Sequence, residues 1–570
     1  MADKKLADAI RKYAIKNAID YGTAKEGSVM GRILSEFPET KSDMKGLAKQ
    51  VAEIIKQVNS LSKDDIQKEY GKHSKEFERE AEEKAKESVP KFILEGAVKG
   101  RFVTRYAPAP NGYMHIGHAK AALVADEAAR VYDGKIVLYF DDTNPEKDRQ
   151  EYVDAMKRDL SWLEIKFAAE HYASDNMALI YESARKLIKQ GSAYACECDA
   201  ETMSKNRYDG KACKHRERSA SQNEKIFEDM LKGKYDEGSE VIRFMGDMKS
   251  NNTVLRDPTL LRIKKDTHYR QGDKYIVWPT YDINTPINDS INGVTDVIRS
   301  KEFELRDELA AGILDALKMR KPRIHSEARL VIKDNITHKR ELNKLMEEDV
   351  LEGWDDPRLT TIAALRRRGI APEAIRKFVL RFGLSKTDSE VDLSMLLDEN
   401  RKVIDKTSKR LFFVGDPKKI TVEGIENHDV KMRLLPENDK EFRRYKLGNA
   451  FYISGREAEN LRVGDRIRFK DLFNVEIKNL KGTMSCRFIG DDQKVGKTLQ
   501  WVNEGNCIKA QLQTPGRLLI NGKFNKDSIE TADGLLESYA SNLKEGEVVQ
   551  FERVGFARLD DKKRMLFIGC

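Results

Sequence analysis

A chain of 570 residues, 40% of them hydrophobic and 35% charged, is too long to share one apolar core and implies roughly three to five domains. No apolar run approaches the roughly 18 residues that cross a bilayer, and the start carries no signal-peptide pattern, so the composition points to a soluble, cytoplasmic protein without membrane contact. The 103 basic side chains nearly offset 95 acidic ones, leaving a net charge of +8, so affinity for nucleic acid has to come from local patches.

Residues 1–98 read as a charged helical domain. LADAIRKYAIKNAI and MKGLAKQVAEIIKQVNSL place apolar residues at helical spacing, whereas KEFEREAEEKAKESVP is almost wholly polar and reads as a solvated helix or tether ending near Pro90. These N-terminal helices are an expected surface for another protein. Next, RFVTRY alternates as a short strand, APAPNGYMHIGH forms a rigid turn, GHAKAALVADEAARVYDG suits a helix closed by Gly134, and KIVLYFDD is an apolar run ending in carboxylates. Strand, turn, helix and buried strand make one right-handed crossover of a parallel sheet, whose ligands are expected at the carboxyl ends of the strands.

In that setting His115, Gly117 and His118 stand where the first helix begins, and free N–H groups with the positive end of the helix dipole favour an anion there. Gly117 allows close approach, and two imidazole donors suit a phosphate whose charge grows in a transition state. Further on, YACECDAETMSKNRYDGKACKHRE holds three of the six cysteines. Cys196, Cys198, Cys213 and His215 have the ligand types for a closed tetrahedral zinc site; reduced thiols are the other reading. From about 320 to 413 the pattern is helical, and beyond Val414 short β-rich runs such as KITVEG, NAFYIS and RMLFIG call for two closed or Greek-key barrels. Basic stretches there accompany Phe451, Tyr452 and Phe469, a composition suited to unstacked bases.

APAPNGYMHIGH resembles the HIGH signature of class I aminoacyl-tRNA synthetases in the form found in the glutamyl/glutaminyl branch. YFDDTNPEKD, DKYIVWPTYD, INGVTDVIRSKEFELR, GWDDPRL, LRRRGI and NRKVID resemble, in the same order, segments of archaeal-type glutamyl-tRNA synthetases. The likeness is strong over about 100–415 and looser at both ends. It implies a multidomain α/β chain: the N-terminal helical domain (1–98), a Rossmann-type catalytic domain (99–335) with an acceptor-end insertion at about 188–275, a KMSKS-like loop with a helical tRNA-stem domain (336–413), and anticodon-binding β-barrels (414–570).

The resemblance also assigns residues. His115, Gly117, His118, Glu302, Lys339 and Arg340 are implied to meet ATP, which carries Mg²⁺ through its phosphates, with His115, His118 and Lys339 as the catalytic groups. Lys339 takes the place of the KMSKS lysine in NITHKREL, where His338 replaces the usual serine; the Lys386 of GLSKTD matches by letter but lies beyond the sheet's last crossover. Arg105, Ala107, Asp141, Tyr281 and Arg299 are implied to hold L-glutamate, and Arg366, Arg367 and Arg368 to meet tRNA phosphates. Arg299 decides the amino acid, since glutaminyl enzymes carry an uncharged residue there; its alternative is a pair with Glu302 or Glu304. The implied reaction forms glutamyl-adenylate and transfers its glutamyl group to the 3′ end of tRNA(Glu), with tRNA(Gln) open as a second acceptor. A glutaminyl enzyme and an inactive tRNA-binding scaffold are the alternatives.

Overall fold

The computed structural model describes residues 2–21, 23–37, 40, 43–62, 65–74, 77, 92–336, 339–425, 428–491 and 495–570. The chain divides into two compact units, Met1–Pro90 and Lys91–Cys570. In the first, helices Ala2–Tyr21, Glu26–Glu36 and Met44–Asn59 enclose Ile10, Ala14, Val29, Ile33, Val51 and Val58, and Asp43 caps the third helix by accepting from Gly46 N. Apart from Phe77, the polar run at 75–90 lies outside the described residues.

The second unit begins on the parallel sheet. Strands β1 (Val103–Tyr106), β2 (Lys135–Phe140) and β3 (Glu170–Tyr172) pair in parallel in that order. Five of the six residues of β2 are buried, because helices cover both faces of a parallel sheet. The helix Ile116–Val131 joins β1 to β2 and packs through Ala119, Ala122, Ala125 and Ala129. It stops earlier than its sequence suggests. Asp133 takes the left-handed conformation (φ 48°), and Gly134 is needed for contact, since a Cβ there would lie 2.3 Å from Phe102 O.

The chain then leaves the sheet for an antiparallel four-stranded insertion, β4 (Ala193–Cys196), β5 (Val241–Phe244), β6 (Thr259–Ile263) and β7 (Val277–Pro279). It returns through the helix Tyr281–Ile291 to β8 (Asp296–Ser300), which runs parallel to β9 (Arg323–Glu327). Thr295 N donates to Val103 O at 2.8 Å, setting β8 beside β1 on the side away from β2. The crossovers therefore diverge between β1 and β8, which opens a crevice at the carboxyl ends of these strands.

Two seven-stranded sheets, barrel-like and mostly antiparallel, form the C-terminal part. They are interleaved in sequence: strands Lys409–Leu411 and Phe413–Gly415 start one sheet, the chain builds the other from Pro417 to Asn503, and Cys507–Gly569 completes the first. Adjacent residues feed separate cores, Phe412 packing with Trp501 and Phe413 with Phe551. Phe451 and Phe469 are fully buried in the first of these cores, where their rings pack against each other at a tilt and are closed to nucleic-acid bases; Tyr452 stays partly exposed and donates to Glu504. No helix among the described residues is long and apolar enough to cross a membrane.

Candidate active site

At the carboxyl end of β1 the chain turns through Ala107, half-buried, and reaches the helix Ile116–Val131, where the two histidines close a reciprocal cap. Gly117 N donates to His115 Nδ1 at 3.1 Å and His115 N donates to His118 Nδ1 at 3.3 Å. The rings stack with centroids 3.9 Å apart. Each Nδ1 therefore serves as an acceptor, which fixes both neutral imidazoles as the Nε2–H tautomer and leaves each Nε2–H as a donor. Burial pulls the His115 pKa down to about 4 and that of His118, which also faces His115, to about 3. At neutral pH the pair thus supplies two uncharged donors at a helix N-terminus. Gly117 has a steric reason beyond ligand approach: a Cβ there would lie 2.9 Å from His115 Cε1.

Arg105, on β1, is 5% exposed; its Nε donates to Asp289 Oδ1 at 3.1 Å and its Nη1 to Ile298 O at 3.2 Å. Arg299, on β8, is 8% exposed and donates from Nη1 to Tyr281 Oη at 3.0 Å and from Nη2 to Asp307 Oδ1. Tyr281 in turn packs against Phe303. At the end of β2, Asp141 accepts from Asn284 Nδ2 at 2.6 Å and from Thr143 Oγ1 at 3.3 Å, and burial pushes its carboxyl up to about 6. Three strand ends and one helix thus bring two guanidiniums, a phenol and a carboxylate together.

Sequence reasoning missed Asn284, Asp289 and Asp307 as members of this set. The first two left a signal, because PTYDINTPIND puts Asn284, Asn288 and Asp289 at helical spacing and a helix buried on that face has to pair them. A hairpin spanning 515–528 docks on a distant part of the chain, and no local pattern announces that docking. Its Leu518 joins an apolar cluster with Ile336, Leu342, Leu359 and Ala364, Leu519 N donates to Asp334 O at 3.1 Å, and Arg517 pairs with Asp334 and Asp392. This hairpin props the segment leading to Lys339.

Lys339 and Arg340 open the helix Lys339–Glu347; their side chains, like residue His338, lie outside the described residues. Glu302 is half-exposed and pairs with Arg329 at 2.6 Å, and Lys386 pairs with Glu304 at 2.6 Å. The arginine run is largely spent inside the protein. Arg366 reaches Asp159 at 3.3 Å and lies over Trp162, Arg367 ties to Asp560 at 2.9 Å, and Arg368 is 3% exposed beside Cys570. Free phosphate contact needs an exposed guanidinium, and of the three only Arg366 keeps a sizeable accessible edge, 36% of its side chain.

Cys196, at the end of β4, meets Cys198, Cys213 and His215 with all ligand atoms within 4.8 Å of one another. Sγ of Cys213 lies 3.8 Å from Cys196 Sγ, 3.4 Å from Cys198 Sγ and 2.9 Å from His215 Nδ1. Tetrahedral edges around an ion bound at ~2.0–2.3 Å are about 3.5–3.8 Å, so the four ligand atoms are gathered at, or slightly inside, the spacing such an ion needs. Glu197 Oε1 accepts from His215 Nε2 at 2.6 Å, which turns Nδ1 toward the thiols as a ligand-ready acceptor.

Residues 101–406 match the family described as tRNA synthetases class I (E and Q), catalytic domain, and 408–489 and 498–560 match two forms of that family's anti-codon binding domain. The chain is 41% identical over 569 residues to a glutamate–tRNA ligase of Nitrosopumilus maritimus (strain SCM1), covering 99% of each chain. It is 37% identical over 564 residues to that of Cenarchaeum symbiosum (strain A), again covering 99% of each. With that of Pyrococcus furiosus it shares 38% identity over 562 residues and 96% of each chain. A parallel sheet that diverges at its switch point, a double-imidazole helix cap and similarity running nearly end to end agree: the chain belongs to the class I tRNA synthetases of the E and Q type.

Proposed function

We propose that the protein is a glutamate–tRNA ligase, joining L-glutamate to the 3′ end of tRNA(Glu) at the expense of ATP. One observation carries the choice of amino acid: Arg299 is a buried guanidinium with a phenol beside it at the switch-point crevice. A side-chain carboxylate meets such a group with a full charge and can take it over from Asp307, whereas a carboxamide offers it only a neutral oxygen. The glutamate α-carboxylate attacks the α-phosphorus of ATP and pyrophosphate leaves, forming glutamyl-adenylate; a terminal ribose hydroxyl of tRNA then attacks its carbonyl carbon, taking the glutamyl group and releasing AMP. The substrate is its own nucleophile, so this chain's residues bind, orient and stabilise charge. The Nε2–H groups of His115 and His118 meet phosphate oxygens beside Gly117, and the positive charges of Lys339 and Arg340 are assigned to the departing phosphates. Glu302 reaches the nucleotide by exchanging its Arg329 partner. Arg105 and Ala107 border the amino acid, Tyr281 and Arg299 take its side chain, and Asp141 takes the α-ammonium.

Mg²⁺ accompanies ATP through the phosphate oxygens. Cys196, Cys198, Cys213 and His215 would hold a structural Zn²⁺ that pins the start of the insertion against β4. In this division of labour, 99–335 activates glutamate with its insertion on the acceptor end, 336–413 meets the tRNA stem through Arg366, and 414–570 meets the anticodon, all in the cytoplasm.

The role of Asp141 has a pH signature. An ammonium is bound by the ionised carboxylate, and the free group sits near 6, so KM for glutamate is expected to be flat above that pH and to rise up to about tenfold per unit below it. Steady-state KM between pH 5 and 8 checks this. ATP–pyrophosphate exchange with purified tRNA(Glu) or tRNA(Gln) present tests the whole reading: exchange is expected with glutamate. Exchange with glutamine alone would reverse the amino acid, and none with either would leave a tRNA-binding scaffold.

A further inference from the structure

Both guanidiniums of the crevice already rest on protein carboxylates, and the two carboxylates are placed differently. Asp289, opposite Arg105, has a side chain 4% exposed, and its backbone oxygen accepts from Arg320. It has nowhere to go. Asp307, opposite Arg299, has a side chain 36% exposed and is the first residue of the helix Asp307–Leu317. The positive end of the helix dipole favours its charge there whether or not Arg299 is near. Among the described residues Arg299 is its one ion-pair partner. The Lys386 ammonium, held first by Glu304, also feels the charge of Asp307, so a cation lies on the solvent side.

A buried guanidinium without a counter-ion is costly, and the empty pocket would leave Arg299 in that state. Two carboxylates on one buried fork repel each other, so an arriving γ-carboxylate and Asp307 exclude one another. Arg299 Nε, buried and unpartnered, shows that the present arrangement leaves the fork only partly used. We infer that Asp307 is a stand-in for the substrate side chain, closing on Arg299 while the pocket is empty and swinging to solvent when the γ-carboxylate of glutamate takes the fork. The inference rests on the reading of Arg299 as the partner of glutamate. Asp307 acts through Arg299 and touches no reacting atom; it is a positioning residue that sets how tightly the acidic side chain is held.

Displacing Asp307 costs part of the binding of glutamate, so removing its charge returns that part. Asp307→Asn keeps the shape and is expected to lower KM for glutamate about five- to tenfold with kcat within about twofold. KM for glutamine, a neutral side chain that displaces no charge, is expected to stay where it is. Both are read by ATP–pyrophosphate exchange with tRNA present, beside a thermal melt of each protein. A raised glutamate KM or a fallen kcat in a folded variant would mean that Asp307 holds Arg299 in its working pose, and the inference would be wrong. Should the variant not fold, a crystal structure of the wild-type protein with glutamate bound decides: the Arg299–Asp307 pair is expected to be open, and an intact pair overturns the inference. Wild-type protein that exchanges with glutamate while Asp307→Asn leaves its KM unchanged sinks this inference alone; wild-type protein that does not exchange with glutamate sinks the reading beneath it.

Discussion

Arg299→Ala is expected to lower kcat/KM for glutamate about a thousandfold while leaving the protein folded. Of the two crevice guanidiniums described, Arg105 is tied to the buried Asp289, whereas the partner of Arg299, Asp307, is partly exposed and can give way to a substrate carboxylate. Without the Arg299 guanidinium a γ-carboxylate would enter a buried site with the Tyr281 hydroxyl beside it and no counter-charge. Breaking one half of a desolvated ion pair costs about 3–5 kcal/mol, which is about two to three and a half powers of ten. The contact exists before and during the attack on ATP, so the loss should fall mainly on KM. Stability should change little, because Asp307 is partly exposed at a helix start that stabilises it without Arg299. Arg299→Lys should recover only part, since a point charge cannot serve the phenol and the carboxylate in one plane. Initial rates over a glutamate titration, with melting curves of each variant, check these expectations; a loss under tenfold would move the choice of amino acid elsewhere.

The parts of the site that lie close together in sequence were readable from it, and those that come together only in space were not. The imidazole pair is a four-residue device, N-cap and third helical position, so HIGH at a strand-to-helix turn exposes its location; its tautomers emerge only with the backbone N–H groups in place. Arg299 shows the intermediate case. Its own following segment does supply a carboxylate, but Asp307 in place of Glu302 or Glu304, because 301–306 winds as a 3₁₀-helix with three residues per turn and turns Asp307 back to the strand end. Composition misled at Phe451 and Phe469, where aromatic residues near basic ones looked like a stacking surface. In a strand with buried alternate positions they belong to the core. The interleaving of the two C-terminal sheets, and the 515–528 hairpin reaching Asp334, depend on pairings more than a hundred residues apart. Such pairings leave no local pattern to read.

His118→Asn should cut the rate of glutamate activation by about 10²- to 10³-fold with the fold intact. The substitution separates the two tasks of the imidazole. An Asn oxygen falls near the place of Nδ1 and can still accept from His115 N, preserving the cap, but nothing replaces the donor at Nε2. A preorganised neutral donor aimed at charge that develops in the transition state is worth about 3–4 kcal/mol in a water-poor site. The deficit should therefore appear in kcat, with the KM values for ATP and glutamate moved far less. His118→Gln makes the complementary test, since its amide nitrogen reaches nearer the Nε2 position; it should return part of the rate even though it caps the helix poorly. Because burial holds both rings neutral down to about pH 4, the imidazoles themselves should add no inflection to the wild-type kcat between pH 5 and 8. An inflection near pH 6.5 that disappears in His118→Asn would mean the ring works as a titrating acid, and the neutral-donor account would have to be given up.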